Sequence, residues 1–303
     1  MPHSIPVAES AAGMRLDRFL SAELPEYSRA FLQRLIDHGD VTVDGRPARP
    51  SERMRAGQVV QIVIPAPQPT GIVATDLPLR IVYERPDLLV LNKPAGLVVH
   101  PAPGHAADTL ANALMARYPG LAVGNALRPG IVHRLDKGTS GLMVVALADR
   151  AYHHLVAQMK ERAVHKEYLA LVHGNVGPER GIVEAPIGRE RINRQKMGVV
   201  PDGRPARTAF RVLERFPGYT LLRVKIETGR THQIRVHLAS IGHPVAGDVV
   251  YGPRKPALGL ERPFLHAWYL GFKLPDEEAC LVAWAPLPED LQKVLGLLAG
   301  SQS

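Results

Sequence analysis

The segment His133-Arg134-Leu135-Asp136-Lys137-Gly138-Thr139-Ser140-Gly141 sets one carboxylate, Asp136, between two cations, Arg134 and Lys137. An aspartate so flanked is expected to work as an anion, because nearby positive charge favours the charged form. The apolar run Leu142–Leu147 follows a Gly/Thr/Ser turn and reads as a buried strand. Asp136 would then sit on a constrained loop beside a core strand, where a scaffold presents a catalytic group. For this nonapeptide alone a surface turn with a solvated charge cluster stands equally open. A second segment, Glu227-Thr228-Gly229-Arg230-Thr231-His232-Gln233-Ile234-Arg235-Val236-His237-Leu238, follows a strand-like run from Tyr219 to Ile226 and opens an apparent helix. Two more stretches complete the set: Lys166-Glu167-Tyr168-Leu169-Ala170-Leu171-Val172 and Asn92-Lys93-Pro94-Ala95-Gly96-Leu97-Val98-Val99-His100-Pro101.

These four segments, in this order, resemble the signature segments of the RluA-type pseudouridine synthases, and within them the large-subunit ribosomal RNA synthases of the RluD branch. The resemblance implies an isomerase that moves uracil from its N1 bond on ribose C1′ to a C5 bond. That reaction needs no cofactor or metal, but the base must leave the stack. By resemblance Asp136 is the catalytic aspartate, attacking C1′ or C6 or taking a ribose proton; the sequence does not choose among these. Arg230 matches the family's basic residue and would pair with Asp136. Tyr168 would stack on the flipped uracil and relay the C5 proton, although a tyrosine in an apolar strand is ordinarily core. Arg134 would enter the RNA helix where the base has left, a planar cation suited to stacking, or simply support Asp136. Ile234 would wall the uracil pocket or pack in a helix core. His133, His232 and His237 show no metal spacing and read as packing or hydrogen-bonding residues.

Elements must hold these groups. In residues 14–65, Leu16, Phe19 and Leu20, then Phe31, Leu32, Leu35 and Ile36, repeat at helical spacing, with Ser28 a candidate N-cap and Gly39 a stop. Val41–Val43 and Val59–Ile64 read as strands, with a tight turn at Asp44-Gly45. This unit resembles the small α-L RNA-binding domain named after ribosomal small-subunit protein four, whose helix pair would carry Arg15, Arg18, Arg29 and Arg34 to phosphates. Domains are expected at 1–65 and 76–303, with the Pro-rich linker 66–75 between them. The larger one reads as α+β with a mixed, largely antiparallel sheet. Its strands are expected at 81–83, 88–91, 142–147, 168–172, 209–213, 219–226 and 281–284, and its helices at 109–117, 151–160, 231–240 and 290–298.

The chain of 303 residues is basic, with 37 Lys and Arg against 29 Asp and Glu. Residues 1–65 hold eight basic and eight acidic side chains and 66–75 none, so the whole +8 falls in residues 76–303. The stretch Gly188–Arg207 reads as an exposed hairpin or loop carrying Arg189, Arg191, Arg194, Lys196, Arg204 and Arg207 against Glu190 and Asp202. It is a candidate for phosphate contact, or a solvated face. Cys280 is the single cysteine, which excludes an intramolecular disulfide and a thiolate zinc site. Met1–Ser10 lacks an apolar core of a signal peptide, and a cytoplasmic monomer without membrane contact is expected. The resemblance implies large-subunit ribosomal RNA in a pre-ribosomal particle as partner. Two other classes remain: a non-enzymatic assembly factor using the α-L module, and an RNA methyltransferase, against which the absence of a G-x-G-x-x-G turn speaks.

Overall fold

A computed structural model describes residues 3–25, 27, 29–64, 71–125, 128–190, 196–255 and 258–300. The expected N-cap Ser28, residue 65 and the first half of the expected linker, residues 66–70, lie outside these. The first unit consists of β1 (His3–Pro6), α1 (Leu16–Glu23), α2 (Arg29–His38), β2 (Val41–Val43), β3 (Arg46–Pro47) and β4 (Val59–Ile62). Its sheet has the order β1-β4-β2-β3 and is antiparallel throughout. Leu16, Phe19 and Leu20 from α1 and Leu32, Leu35 and Ile36 from α2 bury against Val41, Val60 and Ile62, as their helical spacing requires. Asp44 and Gly45 both have positive φ, 50° and 75°, the geometry a two-residue hairpin turn demands.

One charge sits inside this small unit. Asp17, in the first turn of α1, is fully buried. It accepts from Arg15 Nε at 3.1 Å, Arg29 Nη2 at 2.6 Å and Gln33 Nε2 at 2.6 Å. Burial alone would raise its carboxyl, but the hydrogen bonds from Arg15, Arg29 and Gln33 outweigh it and hold the group well below the usual carboxylate range. Arg29 and Gln33 of α2 therefore fasten to α1 through Asp17, and Arg15 braces the same carboxylate from the start of α1, whereas Arg18 and Arg34 are exposed.

The larger unit runs through β5 (Ile81–Glu84), β6 (Leu88–Lys93), α3 (Leu110–Arg117), β7 (Gly124–Asn125), β8 (Arg128–Pro129), β9 (Ser140–Ala146) and α4 (Asp149–Lys160). It continues with β10 (His165–His173), β11 (Arg180–Glu184), β12 (Ile187–Arg189), β13 (Met197–Val199), β14 (Arg207–Phe216) and β15 (Tyr219–Ile226). It ends with α5 (Gln233–Ser240), β16 (Leu265–Lys273), β17 (Cys280–Trp284) and α6 (Glu289–Gly300). Its main sheet has the order β11-β14-β15-β10-β16-β9-β6-β5, with β17 also on β16. Only β16·β9 is parallel, so the chain is α+β with a mixed, largely antiparallel sheet. Among the described residues no helix is long and apolar enough to cross a membrane.

Strand β16 was not among the sequence expectations. Nearly all of it is buried on both faces, so Leu265–Lys273 lacks the alternation that marks a half-exposed strand. It joins the two halves of the site. Gly141 of β9 pairs with Ala267, Ala267 with Tyr168 of β10, and Tyr168 with Val224 of β15. The register slips by one residue on β16 between the partners of Glu167 and Tyr168, a bulge that re-aims a side chain. Gly141 is indispensable to this row: its φ is 117° and a Cβ there would lie 2.2 Å from the Ala267 carbonyl oxygen.

Candidate active site

The loop bearing Asp136 is pinned from three sides. Lys93, fully buried at the end of β6, donates to the Pro94 and Leu97 carbonyls at 2.8 and 2.9 Å and lies 3.5 Å from that of Lys137. Burial pushes its amine down to about 7, with Asp136 pulling the other way. Gly96 N–H donates to the Lys137 carbonyl at 2.8 Å, and Arg262 Nη1 to that of Gly138 at 3.2 Å. His133 Nε2 accepts the Val144 N–H at 3.0 Å; burial, with Lys166 adding, lowers this imidazole to about 3, so it is a neutral structural acceptor. The Asn92–Pro101 segment thus acts as the footing of the aspartate loop.

From the other side comes α5. The Asp136 carboxylate meets Arg235, with Nη1 3.3 Å from Oδ2. The expected pairing with Arg230 is corrected here. Arg230 lies in the loop before α5, where its N–H donates to Gln233 Oε1 at 3.0 Å and its Nε to the Pro205 carbonyl at 3.2 Å. Arg235 lies inside the helix and is buried, and Asp248 grips it with two bonds, 2.6 Å at Nε and 2.8 Å at Nη2. Burial would lower its guanidinium, but Asp248 and then Asp136 more than compensate and raise it. Asp248, in the Gly247-Asp248 turn, is the partner that fixes Arg235, a buried carboxylate matched to a buried cation.

His232 comes nearer the chemistry than its spacing suggested. It caps α5 in the left-handed conformation, φ 56°, and its Nε2 is 4.0 Å from Asp136 Oδ2. Its Nδ1 is 2.8 Å from the Tyr251 hydroxyl, which accepts the Met197 N–H at 3.1 Å. Burial is the largest influence on its imidazole and lowers it, although Asp136 opposes this. His237 is a core hydrogen-bonding residue, between Thr208 Oγ1 at 2.9 Å and the Ala185 carbonyl at 3.0 Å.

A small cavity of about 60 Å³ lies over Asp136, walled by Arg134, Tyr168, Ile226, Ile234 and Leu265. Tyr168 is both core and wall, 5% exposed, and burial followed by the Asp136 charge pushes its hydroxyl up, so it stays protonated. Ile234 likewise packs in the core and faces the cavity. Arg134 is exposed at the rim and Arg230 shares that rim. Asp136, Tyr168, Arg134, Ile234 and Arg230 therefore share one site, while Arg15, Arg18, Arg29 and Arg34 belong to the first unit. Of the basic stretch, Arg189 is exposed on the β12–β13 hairpin, and Lys196 donates to the Val250 carbonyl at 2.7 Å. Arg191 and Arg194 lie outside the described residues. No three His, Cys, Asp or Glu side chains among the described residues cluster as a metal site would.

The RNA pseudouridylate synthase family model matches residues 87–240, and an S4 domain model matches residues 14–60. A Chloroflexus aurantiacus protein named as an uncharacterized RNA pseudouridine synthase is 55% identical over 281 residues, covering 93% of this chain and 89% of its own length. The ribosomal large subunit pseudouridine synthase D of Nitrosomonas europaea is 44% identical over 297 residues, covering 95% of this chain and 86% of its own. The solved structure of human RNA pseudouridylate synthase domain containing 1 superposes with a TM-score of 0.56 at 32% identity, over 70% of this chain and 84% of that one. The chain belongs to the RNA pseudouridylate synthase family, with an S4 domain ahead of the synthase fold.

Proposed function

We propose that this protein isomerises specific uridines of large-subunit ribosomal RNA to pseudouridine, as a cytoplasmic monomer acting on a pre-ribosomal particle. The observation that carries the reading is Asp136, 3.3 Å from a buried Arg235 that Asp248 holds, beneath Tyr168. The names of relatives such as the Nitrosomonas europaea enzyme support the choice of RNA.

In this reading the target uridine leaves the stack and its base enters beside Asp136. Asp136 acts as an anion of fixed orientation, with Arg235 keeping one oxygen engaged and the other directed at the ribose or base. The C1′–N1 bond breaks, the freed uracil turns between Tyr168 and Ile234, and C1′ joins C5. The C5 proton leaves through the Tyr168 hydroxyl, and N1 gains a proton, so no group donor is required. Arg134 fills the gap left in the RNA, and Arg230 at the rim meets the strand rather than Asp136. Residues 1–65 serve as the RNA-targeting unit through Arg15, Arg18, Arg29 and Arg34, linked by 66–75 to the catalytic unit 76–303. Arg189, Arg191, Arg194 and Lys196 of the basic stretch 188–207 add phosphate contacts. The test is pseudouridine mapping after incubating the protein separately with unmodified large-subunit rRNA, small-subunit rRNA and tRNA. Discrete sites confined to the large-subunit RNA are expected; sites confined to either other RNA would overturn the choice of substrate.

A further inference from the structure

A second cavity, of about 550 Å³, opens behind Tyr168 and shares Arg134, Ile226, Gly229 and Arg230 with the Asp136 pocket. Six cations line it, Arg128, Arg134, Lys160, Arg162, Lys166 and Arg230, against the single acid Glu227. That imbalance is not neutralised from within. Arg128, Arg134 and Lys160 make no side-chain hydrogen bond or salt bridge among the described residues. Lys166 finds only the Met159 sulfur, 3.6 Å away, and Arg162 lies 3.7 Å from a Glu227 that Arg207 already engages. A protein that gathers unpaired cations around a concavity is set to receive an anion.

Arg162 occupies the left-handed position that closes α4, φ 59°, where the Ala163 N–H donates to the Gln158 carbonyl at 2.9 Å. Glycine is the usual residue at such a helix end, so Arg162→Gly removes the guanidinium and keeps the helix ending. His100 also lines the cavity; burial, with Arg134 and Arg128 adding, lowers its imidazole, so it offers a flat neutral face among cations. A flat ring beside fixed positive charge suits a nucleotide, base on ring and phosphate on cation.

We infer that this cavity is a nucleotide subsite, binding the RNA residue next to the flipped uridine, with Lys160, Arg162 and Lys166 holding its phosphate and His100 its base. The inference rests on the RNA synthase reading and extends it to groups outside the Asp136 pocket. Because the two cavities share Tyr168 as a wall, a strand can pass from one to the other without leaving the surface.

The experiment compares the wild type with Arg162→Gly and with Lys160→Ala/Arg162→Gly, using an unmodified transcript of large-subunit rRNA. Affinity is measured across a salt series and pseudouridine is mapped on the same transcript. Glycine relieves the left-handed strain, so Arg162→Gly is expected to melt no earlier than the wild type. The double variant is expected to bind at least about tenfold more weakly, with its salt slope flattened by about 1.5, the loss of two phosphate contacts. KM should rise by more than kcat falls. An affinity and salt slope equal to those of the wild type would overturn the subsite, even if the wild type forms pseudouridine normally. Failure of the wild type to form pseudouridine overturns the function instead, since the subsite is judged on binding alone. If the double variant melts early, Arg162→Gly decides by itself, with about half the change in slope.

Discussion

The proposed reaction requires an Asp136 carboxylate of fixed orientation, and it is Arg235 rather than Arg230 that contacts it. Removing Arg235 leaves Asp248 buried without its cation, which costs about 3–5 kcal/mol when a buried pair is broken. Arg235→Ala is therefore expected to lower the melting temperature and to reduce single-turnover pseudouridine formation at least about a hundredfold, as loss of an orienting ion pair at a reacting group does. Arg230→Ala should leave the melting temperature near that of the wild type and act mainly on KM, because its guanidinium engages a backbone carbonyl at the rim. Equal effects of the two substitutions would contradict the assignment. Asp17 gives a pH-dependent counterpart. Its folded carboxyl lies below its unfolded value, so the stability it contributes is complete above about pH 4 and is lost as pH falls through the folded value. Acid melts should show the first unit losing stability below about pH 4, and Asp17→Asn should flatten that dependence.

At the scale of elements, the site depends on four strands meeting in one row through Gly141, Ala267, Tyr168 and Val224. Gly141→Ala would put a methyl group onto the Ala267 carbonyl at a φ that alanine resists, so a loss of about 3 kcal/mol or more is expected. Calorimetry checks this; a melting temperature within a degree or so of the wild type would show the row to be dispensable. Much of this arrangement was legible in the sequence. The apolar runs at 88–91 and 142–147 and the strand-like run at 219–226 fall within β6, β9 and β15 to within a residue or two, and the expected helices at 109–117, 151–160, 231–240 and 290–298 correspond to α3, α4, α5 and α6. What was not legible depends on long-range partners. Strand β16 is buried on both faces and carries no alternation. The choice of Arg235 over Arg230 depends on Asp248, which reaches it only once α5 packs beside the Gly247-Asp248 turn. The α5 start also shifted, from 231 to Gln233, because His232 takes a left-handed conformation that no spacing announces.

Across the whole molecule, charge and core are divided differently. The first unit has its own apolar cluster and balanced charges, while the +8 excess falls in residues 76–303. Salt-dependent RNA affinity is therefore expected to reside mainly in the larger unit. Neutralising Arg191, Arg194 and Lys196 together should flatten the dependence of log Kd on log salt by roughly 2 to 3; an unchanged slope would remove the basic stretch 188–207 from the RNA path. The central claim, that Asp136 makes and breaks the glycosidic bond chemistry, is tested most directly by Asp136→Asn. Pseudouridine is mapped on unmodified large-subunit rRNA treated with wild type or variant, and RNA affinity is measured alongside. The account predicts discrete sites with the wild type and none with the variant, although the variant still binds the RNA. Pseudouridine formed by the variant at the wild-type rate would contradict it.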